Sequence, residues 1–434
     1  PRDDLFAGDA GQWCHDLARE LWPIDRSLTG EGVRETLRRI AGELPGLTIH
    51  AVPSGTAAFD WTVPEEWAIR AAYIEDESGR RIVDFADNNL HVVGYSEPVD
   101  TWMTREELDE HLYSLPAQPD AIPYVTSYYR RRWGFCLTQA QRDAMGPGRY
   151  HVVVDADLFA GVLNYGELLI EGQSKEEIFL STYVCHPSMA NNELSGPVVT
   201  TALAKWIAAL PDRRYSYRIV FIPETIGSIV YLSRNLDEMK PKVVAGYNIT
   251  CFGDDRAHSY IPSRAGDTLA DRVGRHVLKH IDPNYVRYSW LDRGSDERQY
   301  CAPGVDLPVA SIIRTKYGRY PEYHTSLDDL ERVVTPNGLR GGLRALQQAV
   351  FTLETNFVPR VTTLCEPQLG KRGLYPDLSI VGSGRGVRRM MDMISHCDGT
   401  IGLLEIAEKI DAPYWELLSL IGPLVEHGLV VEVA

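Results

Sequence analysis

The stretch Val184-Cys185-His186-Pro187-Ser188-Met189-Ala190-Asn191-Asn192-Glu193-Leu194-Ser195-Gly196 decides how this chain reads. It begins on the last residue of the strand Glu177-Ile178-Phe179-Leu180-Ser181-Thr182-Tyr183-Val184, a nearly continuous apolar and β-branched run of the kind buried in a parallel sheet. After it, Val198, Val199, Ala202, Leu203, Trp206, Ile207 and Leu210 recur at helical spacing. His186 therefore stands at the carboxyl end of a strand, and Asn191, Asn192 and Glu193 lie in the turn that feeds a helix. Ligands of open α/β sheets bind outside such strand ends, so a metal site is one reading. A hydrogen-bonded histidine followed by an N-capping turn is the other.

Two later segments favour the site. Arg218-Ile219-Val220-Phe221-Ile222 is a second apolar strand and ends in Pro223-Glu224-Thr225-Ile226-Gly227-Ser228, which places Glu224 like a catalytic base. Val309-Ala310-Ser311-Ile312-Ile313 is a third, followed by Tyr320-Pro321-Glu322-Tyr323-His324-Thr325-Ser326-Leu327-Asp328-Asp329-Leu330 with a second histidine, His324. Three polar elements in the order His, Glu, His at the ends of one sheet's strands point to chemistry rather than coincidence.

With Gly294-Ser295-Asp296, these motifs resemble the zinc aminopeptidase clan that also holds the glutaminyl cyclases. More closely, the chain resembles an aminopeptidase-like family found beside polysaccharide or natural-product biosynthesis genes. That family is marked also by Arg26-Ser27-Leu28-Thr29-Gly30-Glu31-Gly32, Phe59-Asp60-Trp61-Thr62-Val63-Pro64 and Trp133-Gly134-Phe135-Cys136-Leu137, so the likeness spans residues 26 to 330. It implies an α/β fold with a mixed, zinc-peptidase-like sheet and helices on both faces, an inserted β-rich domain and a C-terminal winged helix.

The resemblance also implies roles. In the clan's two-zinc peptidases an aspartate bridges both metals from the turn that matches Asn191-Asn192-Glu193, and paired glutamates stand where this chain has Glu224-Thr225. Asn192 and Thr225 here remove negative charge that would hold two dications about 3.5 to 4 Å apart. The expectation is one Zn2+ per chain on His186, Glu193 and His324, with the Asn192 amide oxygen as the alternative to Glu193 and otherwise a substrate contact. Glu224 would be the general base. Asp296 matches an acid that holds the reacting group in the cyclases; an N-cap or turn acid is its plainer reading.

Composition narrows the partners. The formal net charge of -16 over 434 residues disfavours nucleic acid and acidic membrane surfaces. Seven scattered cysteines without CxxC spacing argue against a disulfide framework and for a reducing compartment. Period-2 alternation points Cys185 away from His186. No apolar run approaches the ~20 residues of a membrane span, and no leader pattern opens the sequence, so the expectation is a cytoplasmic protein acting on a small peptide or amide, with homo-oligomerisation left open.

At about 100 to 200 residues per domain, the length suggests two or three. Residues 1–58 and 140–360 read as the α/β core, which resumes near Tyr150 with Val152-Val153-Val154. Residues 59–139 read as an inserted β-rich lid ending in Tyr128-Tyr129-Arg130-Arg131-Arg132-Trp133, where Tyr128, Arg130, Arg131 and Arg132 are candidates to contact an anionic substrate. Residues 366–434 show short helices and a terminal strand, the outline of a winged helix, but an acidic one and so a poor phosphate binder. The functional expectation is a zinc-dependent amide hydrolase removing an aminoacyl or acyl group from a small peptide or biosynthetic intermediate. The alternatives are a cyclisation or acyl-transfer enzyme and a non-catalytic binding protein derived from a peptidase.

Overall fold

The computed structural model describes residues 9–128, 130–374 and 384–433. An eight-stranded mixed sheet runs in the order Thr48–Pro53, Val162–Ile170, Ser216–Ile222, Glu177–Tyr183, Val243–Asn248, Val309–Ile313, Ser259–Ile261, Val286–Arg287. Its four central strands are parallel, with Leu180 paired to Ile219 on one side and Tyr247 on the other. Every residue of Glu177–Tyr183 is buried, which is why its sequence lacks the alternation of a half-solvated strand. Antiparallel neighbours close the sheet on either side.

The decisive turn is a single wide π-type turn, Ala190–Leu194, opening the helix Ser195–Ala208. Such turns recur at functional sites. No side chain of the turn caps the helix. Instead Asp328, from the element that carries His324, accepts the amide hydrogens of Asn191 at 2.7 Å and Asn192 at 2.9 Å. A buried carboxylate thus neutralises the positive end of the helix and ties the two histidine-bearing segments together. Gly196 is required by close approach: a Cβ there would stand 2.6 Å from the Ile249 carbonyl oxygen.

The strand Arg149–Phe159 does not belong to the large sheet. It pairs antiparallel with Glu66–Asp76 and Val99–Thr104 in a four-stranded sheet completed by Arg81–Asp84. Its valine run is too short to distinguish a core strand from one face of an antiparallel sheet, but exposed residues at 155, 157 and 159 give the alternation away. A segment that precedes this strand in the chain reaches the core: Ile122 N–H donates to Ser326 Oγ at 3.0 Å, and Tyr124 N–H donates to the His324 carbonyl at 2.9 Å.

Residues 271–285 and 345–434 make a second compact unit. Within it, Leu403–Lys409 and Tyr414–Glu426 pack on each other, and Val430–Val433 pairs with Val358–Val361. That partner strand precedes residue 366, where the winged helix was expected to begin; Pro359, an edge-strand residue, disguised it as loop. No helix of the described residues is long and apolar enough to cross a membrane.

Candidate active site

The carboxyl ends of the parallel strands deliver His186, Glu224 and, by way of a longer loop, His324. His186 is buried, and its Nδ1 lies 2.9 Å from Glu193 Oε2. The other Glu193 oxygen lies 3.2 Å from Arg26 Nε, and both of these side chains are 0 % exposed. Arg26 also donates to the His186 carbonyl at 3.0 Å and, through Nη1, to the Leu21 carbonyl at 2.8 Å. Burial works to lower the His186 imidazole, but the Glu193 hydrogen bond and charge outweigh it and raise its basicity. With Nδ1 held by a carboxylate, Nε2 is the nitrogen presented to the site, 3.7 Å from Glu224 Oε2.

His324 lies across from it, with ring centroids 5.8 Å apart. Burial, then the nearby His186, pushes its imidazole down to about 3, so it is neutral and has a lone pair to give. Tyr323 stacks on it at 3.9 Å, and Tyr124 stands 5.1 Å from each histidine ring. His324 and Thr225 both hold left-handed backbone, φ 56° and 64°. Non-glycine residues reach that region at a cost of roughly 1–3 kcal/mol, which the surrounding hydrogen bonds must offset. For Thr225 those bonds are an N–H donated to Asp296 Oδ1 at 2.8 Å and an Oγ1 that accepts from Arg298 Nη2 at 2.8 Å.

Glu224 keeps 24 % of its side chain exposed, and burial raises its carboxyl, with His186 opposing. Asp296 is fully buried; burial, then the Glu224 charge, pushes it up to about 7. Its Oδ1 accepts from Thr225 N and Ser228 Oγ, so this carboxyl fixes the turn that aims Glu224.

The two candidates of the turn, Glu193 and Asn192, stand in different surroundings. Glu193 already serves Arg26 and the far side of His186, the place of a carboxylate that orients a ligating histidine rather than of a ligand. Among the described residues, the donor atoms of Cys185, His186 and Glu193 lie within 4.8 Å of one another, and His186, Glu193 and His324 form no such group. Arg26 makes that first trio a neutralised hydrogen-bonded cluster. Asn192 is differently engaged: its Oδ1 accepts from Tyr183 Oη at 3.0 Å, while Nδ2 is buried without a partner. Turning the nearly isosteric amide about lets Nδ2 donate to Tyr183 and gives the unpartnered position to Oδ1.

Cys185 also departs from expectation. Its Sγ is 3.3 Å from His186 Nδ1 and accepts the Glu224 N–H at 3.1 Å. The strand ends at Tyr183, so alternation no longer governs residue 185. Burial pushes the thiol well up, which keeps it protonated and unreactive. Of the inserted cluster, Tyr128 backs Tyr124 through a 2.7 Å hydroxyl contact, and Tyr129 lies outside the described residues. The structure does not bring the three arginines to the histidines. Arg130 is exposed, Arg131 pairs with Glu65 and Glu97 on the surface, and Arg132 braces the Thr126 carbonyl and Tyr113. Arginine enrichment shows a charge but not its direction. Arg26, Tyr124, Asp328 and Arg298 were not singled out as site residues; the motifs around Arg26 and Asp328 were visible, but their partners were not.

The geometry belongs with known relatives. Residues 15–356 match the family described as a domain of unknown function, DUF4910, and residues 357–432 match a winged helix-turn-helix. The chain belongs to the DUF4910 family. A Clostridium acetobutylicum protein, provisionally named for polysaccharide biosynthesis with an aminopeptidase-like domain, is 43% identical over 408 residues, 93% of this chain and 92% of the relative. A crystal structure from Clostridium acetobutylicum, provisionally assigned as a peptidase, superposes with TM-score 0.92 at 40% identity, covering 98% of this chain and 96% of that one. A zinc aminopeptidase from Bacillus subtilis shares the fold, with TM-score 0.58 at 11% identity over 79% of this chain and 94% of that one. The DUF4910 member described here is thus an aminopeptidase-like α/β protein with a C-terminal winged helix.

Proposed function

We propose that this DUF4910 protein is a metal-dependent amide hydrolase that removes an aminoacyl or acyl group from a small peptide or biosynthetic intermediate. The observation that carries the proposal is the 3.7 Å approach of Glu224 to His186 Nε2, on an imidazole whose other nitrogen is fixed by Glu193. His186 Nε2, His324 and the Asn192 amide oxygen would hold one zinc ion. This assignment is supported by the unpartnered Asn192 amide, the neutral His324 and the carboxylate behind His186. When bound, zinc supplies a Lewis acid that polarises the scissile carbonyl.

The remaining steps belong to the chain's own groups. Glu224 takes a proton from the attacking water and returns it to the leaving amine, for which a carboxyl raised by burial is suited. Asp296 and the strained Thr225 hold Glu224 in direction. Tyr124 and Tyr323 wall the two histidines and exclude bulk water. Asp296 Oδ1 is committed to Thr225 and Ser228, while its buried Oδ2 has no partner among the described residues.

The test is hydrolysis of a panel of dipeptides and aminoacyl amides by the zinc-supplemented protein, with elemental analysis of variants alongside. His324→Ala is expected to lose most of the metal, since three ligands become two. Glu193→Gln is expected to retain it, because the amide can still accept from His186 Nδ1. A Glu193→Gln protein that cannot be loaded with zinc returns Glu193 to the ligand set.

A further inference from the structure

Arg298 lies on the short helix Glu297–Tyr300 and is half-buried. Its Nε donates to the Ser295 carbonyl at 3.0 Å and its Nη2 to Thr225 Oγ1 at 2.8 Å, so the planar guanidinium has a fixed direction. Among the described residues, Nη1 has no hydrogen-bond partner, and the guanidinium is paired with no carboxylate. The Thr225 contact places this arginine at the turn that carries Glu224, one residue from the base. Thr225 adds to it: its Oγ1 accepts from Arg298, which leaves its own hydrogen to donate alongside Nη1. A cation held rigidly, with unused donors, beside a general base is a place for an anion.

We propose that Arg298, with the Thr225 hydroxyl, binds a substrate carboxylate and so selects short substrates whose leaving residue carries a free acid. The inference rests on the hydrolase reading above, because Glu224 at the scissile amide puts Arg298 beside the group that departs with the amine. The substrate class is then a dipeptide or an N-acyl amino acid. The surface arginines Arg130, Arg131 and Arg132 take no part.

Binding is measured by calorimetry in the Glu224→Gln protein, which prevents turnover, with L-leucylglycine and its C-terminal amide as probes. The free acid is expected to bind about tenfold more tightly than the amide, as one charge-assisted contact contributes. Arg298→Gln, which keeps donors for Ser295 and Thr225, should erase that preference, and Arg298→Lys should retain part of it. Thermal melts establish that both variants fold. Equal affinity for acid and amide, a preference that survives Arg298→Gln, or no binding of either probe overturns the assignment. Hydrolysis of the same pair by the wild-type chain separates the two proposals. Turnover of both at equal efficiency removes the carboxylate role and leaves the hydrolase. Acid-selective binding without turnover of either removes the hydrolase and leaves Arg298.

Discussion

Glu224→Gln is expected to slow amide hydrolysis by at least ~100-fold, the low end for loss of a general acid and base, with little change in KM. The amide is nearly isosteric with the carboxylate but cannot accept and return a proton. Two other carboxyl groups of the site are held elsewhere: Asp296 is fully buried with Oδ1 on Thr225 and Ser228, and Glu193 is enclosed by Arg26 and His186. The backbone bond from Glu224 N to Cys185 Sγ and the turn at Thr225 do not involve the Glu224 carboxyl, so the fold should persist. Initial rates on whichever dipeptide the panel identifies, with a circular dichroism spectrum of the variant, check this. A variant that retains full activity removes Glu224 from the chemistry.

Arg26→Met is expected to destabilise the protein by about 3–5 kcal/mol, the range for removing one partner of a buried ion pair. The cost is set by what remains: Glu193 would keep a charge inside the protein with no arginine against it, the His186 carbonyl would lose the Arg26 donor, and the Leu21 carbonyl would keep only the Ile24 N–H. The double variant Arg26→Met with Glu193→Leu should recover part of the loss by removing the stranded charge. Urea unfolding followed by tryptophan fluorescence provides the comparison. A loss below about 1 kcal/mol, the scale of an exposed pair, would show that the Arg26–Glu193 contact is not desolvated as described.

Much of the fold was legible because burial writes itself into composition. A strand covered on both faces, such as Glu177–Tyr183, has to be apolar throughout, and the polar residues that follow it mark the sheet's ligand-binding end. Strand Arg149–Phe159 was misplaced because three consecutive valines satisfy either kind of sheet. Within the site, the sequence showed which groups were near strand ends but not which way each turned. The resemblance implies a ligand role for Glu193, and nothing in its local sequence shows the ion pair it makes with Arg26, far away in the chain. Asp328 reaches back 137 residues to cap the same turn. Clustered arginines at 130–132 suggest a substrate contact in the sequence, whereas Arg298, isolated in the sequence, is the one that meets the turn after Glu224. Long-range partners of this kind leave no local pattern to read.

Zinc stoichiometry decides whether the proposed site, two imidazoles and an amide, is mononuclear. Purified wild-type protein, loaded with zinc and dialysed to remove loosely bound ions, is analysed for metal per chain. The account predicts about one zinc, because Asn192 and Thr225 cannot supply the negative charge that a second dication needs. Two zinc ions per chain, or none retained, would contradict it.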